Sequence, residues 1–384
     1  MISLPPQPIS AMTRALILIP CLLIGGTEVA TLDTAKALQA SGRPSDVLVY
    51  FNEVDAVMVK TFASANISVH FLSLTRDSGL AGSLQLLCCL WKFLSKGHYD
   101  LVWVQYMTPT LVPLLVARLF SRCLVIAVHV AAGHYSPNGR RRLRWLARWW
   151  CDRFVCVSQT SARGILGRAH DDACFLKRLW VLPNAINMAD VKFSIPRDWR
   201  IDLGLAKSTR LIGFVGRLAH NKGVDVLLSA IGQLTIGYPL LHCIIVGDGA
   251  ERAKLELLVK TLGIAEVVHF VGAIPHESVY AAIKGFDVAV VPSREEGFGL
   301  SALEAMACGV PLVGSRVDAL QEIVLEGITG ILFESESPVD LAVKLAIILH
   351  DDELLNRLKI SAKMHIQKKY ERAIYRSNIV RLFD

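Results

Sequence analysis

Apolar runs of about five residues, alternating with stretches of helical periodicity, recur along this chain and limit what it can fold into. In the first half they are ALILIP at 15–20, DVLVYF at 46–51, ISVHFL at 67–72, LVWVQY at 101–106, CLVIAVHV at 123–130, FVCVS at 154–158 and LWVLPN at 179–184. After the polar segment KFSIPRDWR the series restarts with RLIGFVGRL at 210–218, HCIIVG at 242–247, VVHFVG at 267–272, DVAVVPS at 287–293 and VPLVGS at 310–315. Runs that are apolar throughout mark strands buried on both faces, and strands alternating with helices build parallel sheets. A chain of 384 residues exceeds what one core organises. The expectation is an α/β protein with doubly wound domains at 1–190 and 205–365, KFSIPRDWR as the linker, and a last helical segment at 366–384.

Hydrophobic residues make up 53% of the chain, and the mean hydropathy of +0.43 raises the question of membrane spans. The longest uncharged windows, 226–247 and 101–117, are broken by Gly232, Gly237 and Pro239 in one and by Gln105, Pro109 and Pro113 in the other. Neither is an uninterrupted apolar helix of about 20 residues. The opening MISLPPQPIS has no basic stretch ahead of an apolar core, so no secretory leader is expected. The nine cysteines include the adjacent Cys88 and Cys89 but no CxxC spacing, which points away from a zinc site or a disulfide framework. The expected location is the cytoplasm.

Pro292–Gly314, PSREEGFGLSALEAMACGVPLVG, reads as strand end, glycine loop and helix. That arrangement presents side chains and helix amides at a carboxyl sheet edge, where ligands and phosphates bind. Glu296 and Glu304 are suited to accept hydrogen bonds from sugar or ribose hydroxyls; the alternative is that Glu304 only completes a capping box begun by Ser301. Arg217 and Lys222, after the run ending Phe214-Val215-Gly216, offer a planar fork and a mobile point charge to a diphosphate, or are plain surface charge. Gly25-Gly26 allows close backbone approach to phosphates, or forms a simple turn. His129 ends an apolar strand and faces either the ligand edge or the core; His134 follows in the next loop.

The net charge of +7 is concentrated in GRRRLRWLARWW, 139–150. At helical spacing Leu143, Leu146, Ala147 and Trp150 share one face, Arg141, Arg144 and Arg148 another, and Trp145 and Trp149 lie between. Cations beside tryptophan suit an anionic membrane surface. An ordinary solvated helix is the alternative. No nucleic-acid signature accompanies the patch.

In order along the chain, GGTE at 25–28, His129, VGRL at 215–218 with Lys222-Gly223, VGDG at 246–249 and EGFGLSALEAMACGVP from Glu296 resemble the family 4 glycosyltransferases, retaining enzymes of the GT-B fold. The resemblance implies two Rossmann-like domains facing a central cleft, with the C-terminal helix crossing back to the N-terminal domain. It implies a metal-independent transferase of hexosyl type, with a nucleotide-diphosphate sugar as co-substrate and no cofactor. Glu304 would bind the ribose hydroxyls, and Glu296 with Phe298, Gly299 and Leu300 would hold the transferred sugar and distal phosphate. Arg217 and Lys222 would neutralise the diphosphate, Ala273 and Ile274 would touch the base, Gly25 and Gly26 would approach the phosphates from the first domain, and His129 would face the sugar. The catalytic set is then His129, Glu296, Arg217 and Lys222. The acceptor bound by the first domain is expected to be a glycan or lipid-linked, at the inner face of the cytoplasmic membrane, as in cell-surface polysaccharide assembly.

The chain departs from that family where Val317-Asp318-Ala319 replaces a Gly-Gly pair, where Asn184-Ala185-Ile186-Asn187 replaces Asn-Gly-Val-Asp, and where Tyr370-Glu371-Arg372 replaces Phe-Ser-Trp. Two readings from other classes stand beside the transferase: a nucleotide-sugar epimerase of the same fold, and a non-catalytic binding partner at a membrane.

Overall fold

The computed structural model describes residues 14–23, 25–77, 79–107, 110–167 and 173–383. The opening MISLPPQPIS, on which the expectation of no secretory leader rests, lies outside them. The chain divides into two compact units: Met1–Ala185 together with Arg372–Asp384, and Ile186–Glu371.

The first unit is built on seven parallel strands: β1 (Ala15–Ile19), β2 (Ser45–Phe51), β3 (Ser68–Leu74), β4 (Leu101–Gln105), β5 (Cys123–Val128), β6 (Arg153–Cys156) and β7 (Leu179–Val181), in the order β3-β2-β1-β4-β5-β6-β7. Strands β1, β2, β4 and β5 are buried at every residue, which is why they read as unbroken apolar runs. Odd and even residues of these strands feed different cores. Ile17, Val49, Trp103 and Ala127 meet the helices Gly26–Ala40 and Ala56–Ser64 and the terminal residues Tyr375, Ile379, Leu382 and Phe383. Leu16, Val102 and Ile126 meet the helices Leu80–Lys96, Val112–Phe120 and Pro137–Trp149.

The second unit has six parallel strands: β8 (Arg210–Val215), β9 (Leu241–Val246), β10 (Val268–Gly272), β11 (Val288–Val291), β12 (Leu312–Ser315) and β13 (Ile331–Phe333), in the order β10-β9-β8-β11-β12-β13. Both orders reverse beside the first strand of the unit, and that reversal leaves a crevice at the carboxyl edge. In the second unit it lies between β8 and β11.

KFSIPRDWR is not an extended linker. It spans the end of the helix Met188–Phe193 and the start of the helix Trp199–Asp202. Trp199 is 1% exposed, stacks on Phe286 and donates its indole N–H to the Ala282 carbonyl at 2.9 Å. Its burial ties the segment to the second unit, and the polar neighbours concealed that in the sequence. The helix Asp352–Lys369 ends at Tyr370, and a separate helix, Arg372–Arg381, packs in the first unit. There Arg372 pairs with Asp33 at 2.9 Å and Tyr375 shares a hydrogen bond with Thr34 at 2.7 Å.

Candidate active site

In the second unit the loops leaving β8 and β11 are locked together. After β8 come Arg217, a 3-10 turn at His220–Lys222, and Gly223 at φ 62. A Cβ on Gly223 would lie 2.0 Å from the Pro292 carbonyl oxygen, so only glycine fits this approach. Lys222 Nζ donates to Glu296 Oε1 at 2.6 Å, and Ser293 Oγ donates to the same oxygen at 2.8 Å. The Glu296 side chain is 8% exposed.

Arg294, not among the residues singled out from the sequence, fastens these loops. Its guanidinium donates to both Asp225 carboxylate oxygens at 2.8 and 2.7 Å, to the His220 carbonyl at 2.8 Å and to Glu336 at 2.8 Å. Burial works to raise the Asp225 pKa, but the arginine's hydrogen bonds and charge outweigh it and hold the carboxyl below its ordinary range. No local pattern announces a pair separated by 69 positions.

The helix Leu300–Ala307 starts from Gly299 at φ 99, with no side-chain cap. The expected Ser301–Glu304 capping box does not form, because the left-handed glycine begins the helix early and leaves Ser301 in its first turn. A Cβ at Gly299 would meet Leu320 Cδ2 at 2.7 Å. Leu320 belongs to the helix Asp318–Ile323, which occupies the place of the family's Gly-Gly pair and supports the loop from below. Glu304 is buried, without a hydrogen-bond partner among the described residues, and burial pushes its carboxyl up to about 8. Its oxygens are not among the fully buried unpaired atoms, so the carboxyl keeps an opening to water while making no bond to the fold, which leaves it available to a ligand. Phe298 is buried edge-on against Tyr370, ring centroids 6.0 Å apart.

The remaining candidates in this unit stand apart from that cluster. Arg217 is exposed on the β8 loop and makes no ion pair among the described residues. Exposed Ala273 and half-buried Ile274 follow β10, two strands away in the sheet.

In the first unit Gly25 precedes the helix Gly26–Ala40 without a side-chain cap. A Cβ on Gly25 would lie 2.6 Å from Glu28 Oε2, and Glu28 accepts from the Leu23 amide at 3.3 Å. His129 sits one residue beyond β5, both ring nitrogens buried without a hydrogen-bond partner. Burial pushes its imidazole down to about 4; Asn184 pulls weakly the other way without reaching hydrogen-bond geometry. Asn184 Oδ1 and Gln105 Oε1 are likewise buried and unpaired. The carboxyl ends of β4 and β5 and the turn after β7 thus carry three polar side chains with unmet hydrogen-bonding capacity. Of these, only His129 stood out in the sequence as a site residue. In the helix Pro137–Trp149, Leu143, Leu146 and Ala147 are buried, while Trp145 and Trp149 are 52% and 66% exposed.

Residues 24–190 match the family described as Glycosyltransferase Family 4, and residues 197–365 match Glycosyl transferases group 1. A D-inositol 3-phosphate glycosyltransferase of Corynebacterium jeikeium is 37% identical over 44% of this chain and 42% of its own length. One of the same name from Geodermatophilus obscurus is 29% identical over 86% of this chain and 79% of its own length. Among solved structures, Anabaena HepE in complex with UDP and glucose superposes with a TM-score of 0.81 at 22% identity, covering 96% of this chain and 98% of that one. A sucrose-phosphate synthase from Thermosynechococcus elongatus does so with a TM-score of 0.79, also at 22% identity, covering 96% and 98%. The fold of this chain is the two-domain parallel-sheet architecture of such proteins.

Proposed function

The chain belongs to the family 4 glycosyltransferases of GT-B fold, and from that premise we propose that it transfers a sugar, with retention, from a nucleotide-diphosphate donor to an acceptor bound by the first unit. The observation that carries this reading is Glu304. A carboxyl buried in the second turn of the helix that follows the glycine loop, with no hydrogen bond to the described residues, is suited to receive two ribose hydroxyls. Nearby, Glu296 is oriented by Lys222 and Ser293 to accept from sugar hydroxyls, while Arg217 is free to turn onto a phosphate. Leaving-group charge is then met by Lys222, Arg217 and the uncapped amides after Gly299, so the reading calls on neither a metal nor a cofactor. Ala273 and Ile274 border the base.

His129, held neutral by burial, acts by orienting or polarising the sugar rather than as an ionised acid. No paired carboxylate supplies a nucleophile among the residues described at the first unit's edge, which favours front-face displacement over a covalent intermediate.

The relatives' names favour transfer over epimerisation, and the epimerase alternative is set aside. They also bring in a second acceptor class, a phosphorylated cyclitol, beside the lipid-linked or glycan acceptor expected from the sequence. Calorimetric titration with UDP, GDP and their sugars, followed by product analysis with inositol 3-phosphate and with a polyprenyl-linked glycan, tests the reading. Binding of no nucleotide diphosphate, or loss of none of it in Glu304→Gln, rejects the donor site.

A further inference from the structure

Three neighbouring helices of the first unit leave apolar side chains in the open. On Leu80–Lys96 these are Leu80, Leu84 and Trp91, 87%, 60% and 49% exposed; Leu84, Cys88 and Trp91 are spaced to lie on one helical face. On Val112–Phe120 they are Leu115 and Leu119, and on Pro137–Trp149 they are Trp145 and Trp149. The helices are joined at the surface by aromatic contacts. Trp91 meets Phe120 edge-on at 4.9 Å, joining the first two, and the Trp150 indole, stacked on Trp145 of its own helix at 5.8 Å, donates to the Leu114 carbonyl at 3.4 Å, joining the second and third.

Charge follows the same surface. Between Gly79 and Trp150 the sequence holds nine Lys and Arg and one acidic residue, Asp100, a surplus of eight that exceeds the whole chain's +7. Asp100 is taken by Arg122 at 3.4 Å, and Asp152, just beyond, by Arg118 at 2.8 Å. Exposed Lys92, Lys96 and Arg141 have no carboxylate beside them among the described residues.

We propose that this three-helix face seats the protein on an anionic lipid surface, with the tryptophan and leucine side chains entering the headgroup region and the cations meeting lipid phosphates. Solvated basic helices carry no exposed apolar stripe, and a second copy of the same face would bring like charges together. The complementary partner therefore presents negative charge over an apolar layer. The inference reaches beyond the single basic helix legible in the sequence, and it does not rest on the transferase reading: a protein that binds lipid but moves no sugar keeps it.

Flotation with vesicles of equal parts phosphatidylglycerol and phosphatidylcholine, against phosphatidylcholine alone, tests it. Wild type floats with the anionic vesicles only, and its tryptophan emission shifts to the blue. Lys92→Ala, Lys96→Ala and Arg141→Ala together lower the partition coefficient on the order of a hundredfold. Leu84→Ser, Leu119→Ser and Trp145→Ser together abolish the blue shift. Both variants keep wild-type melting temperatures, since every substituted residue is exposed. Equal flotation on neutral vesicles, a charge variant that floats like wild type, binding to duplex DNA without vesicle binding, or a dimer in sedimentation velocity that both variants dissociate would overturn the proposal.

Discussion

Lys222 and Glu296 stand 74 positions apart in the chain and meet at 2.6 Å, so the cation expected at the diphosphate is already paired with the carboxylate expected at the sugar. Arg217, on the same loop, has no such partner. The two cations therefore separate in experiment. Lys222→Ala leaves Glu296 to Ser293 alone, costs about 1–3 kcal/mol of stability and weakens nucleotide-diphosphate binding by about ten- to a hundredfold. Arg217→Ala weakens the same binding but moves stability by no more than about 0.5 kcal/mol. Thermal melts and calorimetry on both variants check this, and equal stability losses would contradict it.

Glu304 ties stability to pH. Burial raises its folded pKa from the ordinary 4.5 to about 8. Between those values the folded protein holds a proton that the unfolded chain has lost, so the ligand-free protein becomes less stable as pH rises through that window. Glu304→Gln removes this slope. Melting temperatures from pH 5 to 8 should fall more steeply in wild type than in the variant, while the variant binds nucleotide diphosphate at least tenfold more weakly.

His129 gives the opposite sign. Its folded pKa of about 4 lies below the ordinary 6.5, so the unfolded chain takes up a proton first and stability is lost as pH falls from 6.5 toward 4. Above pH 5 the imidazole stays neutral, and its NMR resonances should not titrate there. Turnover should show no inflection near 6.5 that His129→Gln removes; one that disappears in this variant would mean the ring works as an ionised group.

Arg294 acts on the site through the loop it fastens. Arg294→Lys cannot reproduce the two-pronged contact with Asp225. We expect a loss on the order of 2 kcal/mol in stability and a KM for donor raised more than kcat is lowered, since no Arg294 atom is placed on the reacting groups. A variant with wild-type KM and reduced kcat would assign the arginine to the chemistry instead.

Longer strands buried on both faces were legible: the apolar runs 15–20 and 101–106 coincide with strands to within a residue, and 287–293 contains Val288–Val291. β13, also buried, escaped notice because its three residues, Ile331–Phe333, stand in no longer apolar run, whereas the equally short β7 lies within 179–184. The glutamates and cations of the second unit stood out because they cluster in one glycine loop and one strand exit. What holds them was not readable, since Arg294–Asp225, Gly223–Pro292 and Gly299–Leu320 are contacts between segments distant in sequence. The capping box failed for a related reason: Ser301 and Glu304 had the right spacing, but the backbone angle at Gly299 decided where the helix began.

The terminal helix Arg372–Arg381 places Tyr375, Ile379, Leu382 and Phe383 in the core of the first unit, while Ile186 and Glu371, the ends of the second unit, form a bridge to one another. The second unit is thus an insertion within the first, and during synthesis it is finished before the unit that precedes it. Residues 14–185 must wait with part of their core open until residues 372–383 emerge from the ribosome. A chain stopped after Glu371 would never close that core, so a late truncation would damage the earliest-made part of the protein and spare the part beside the cut.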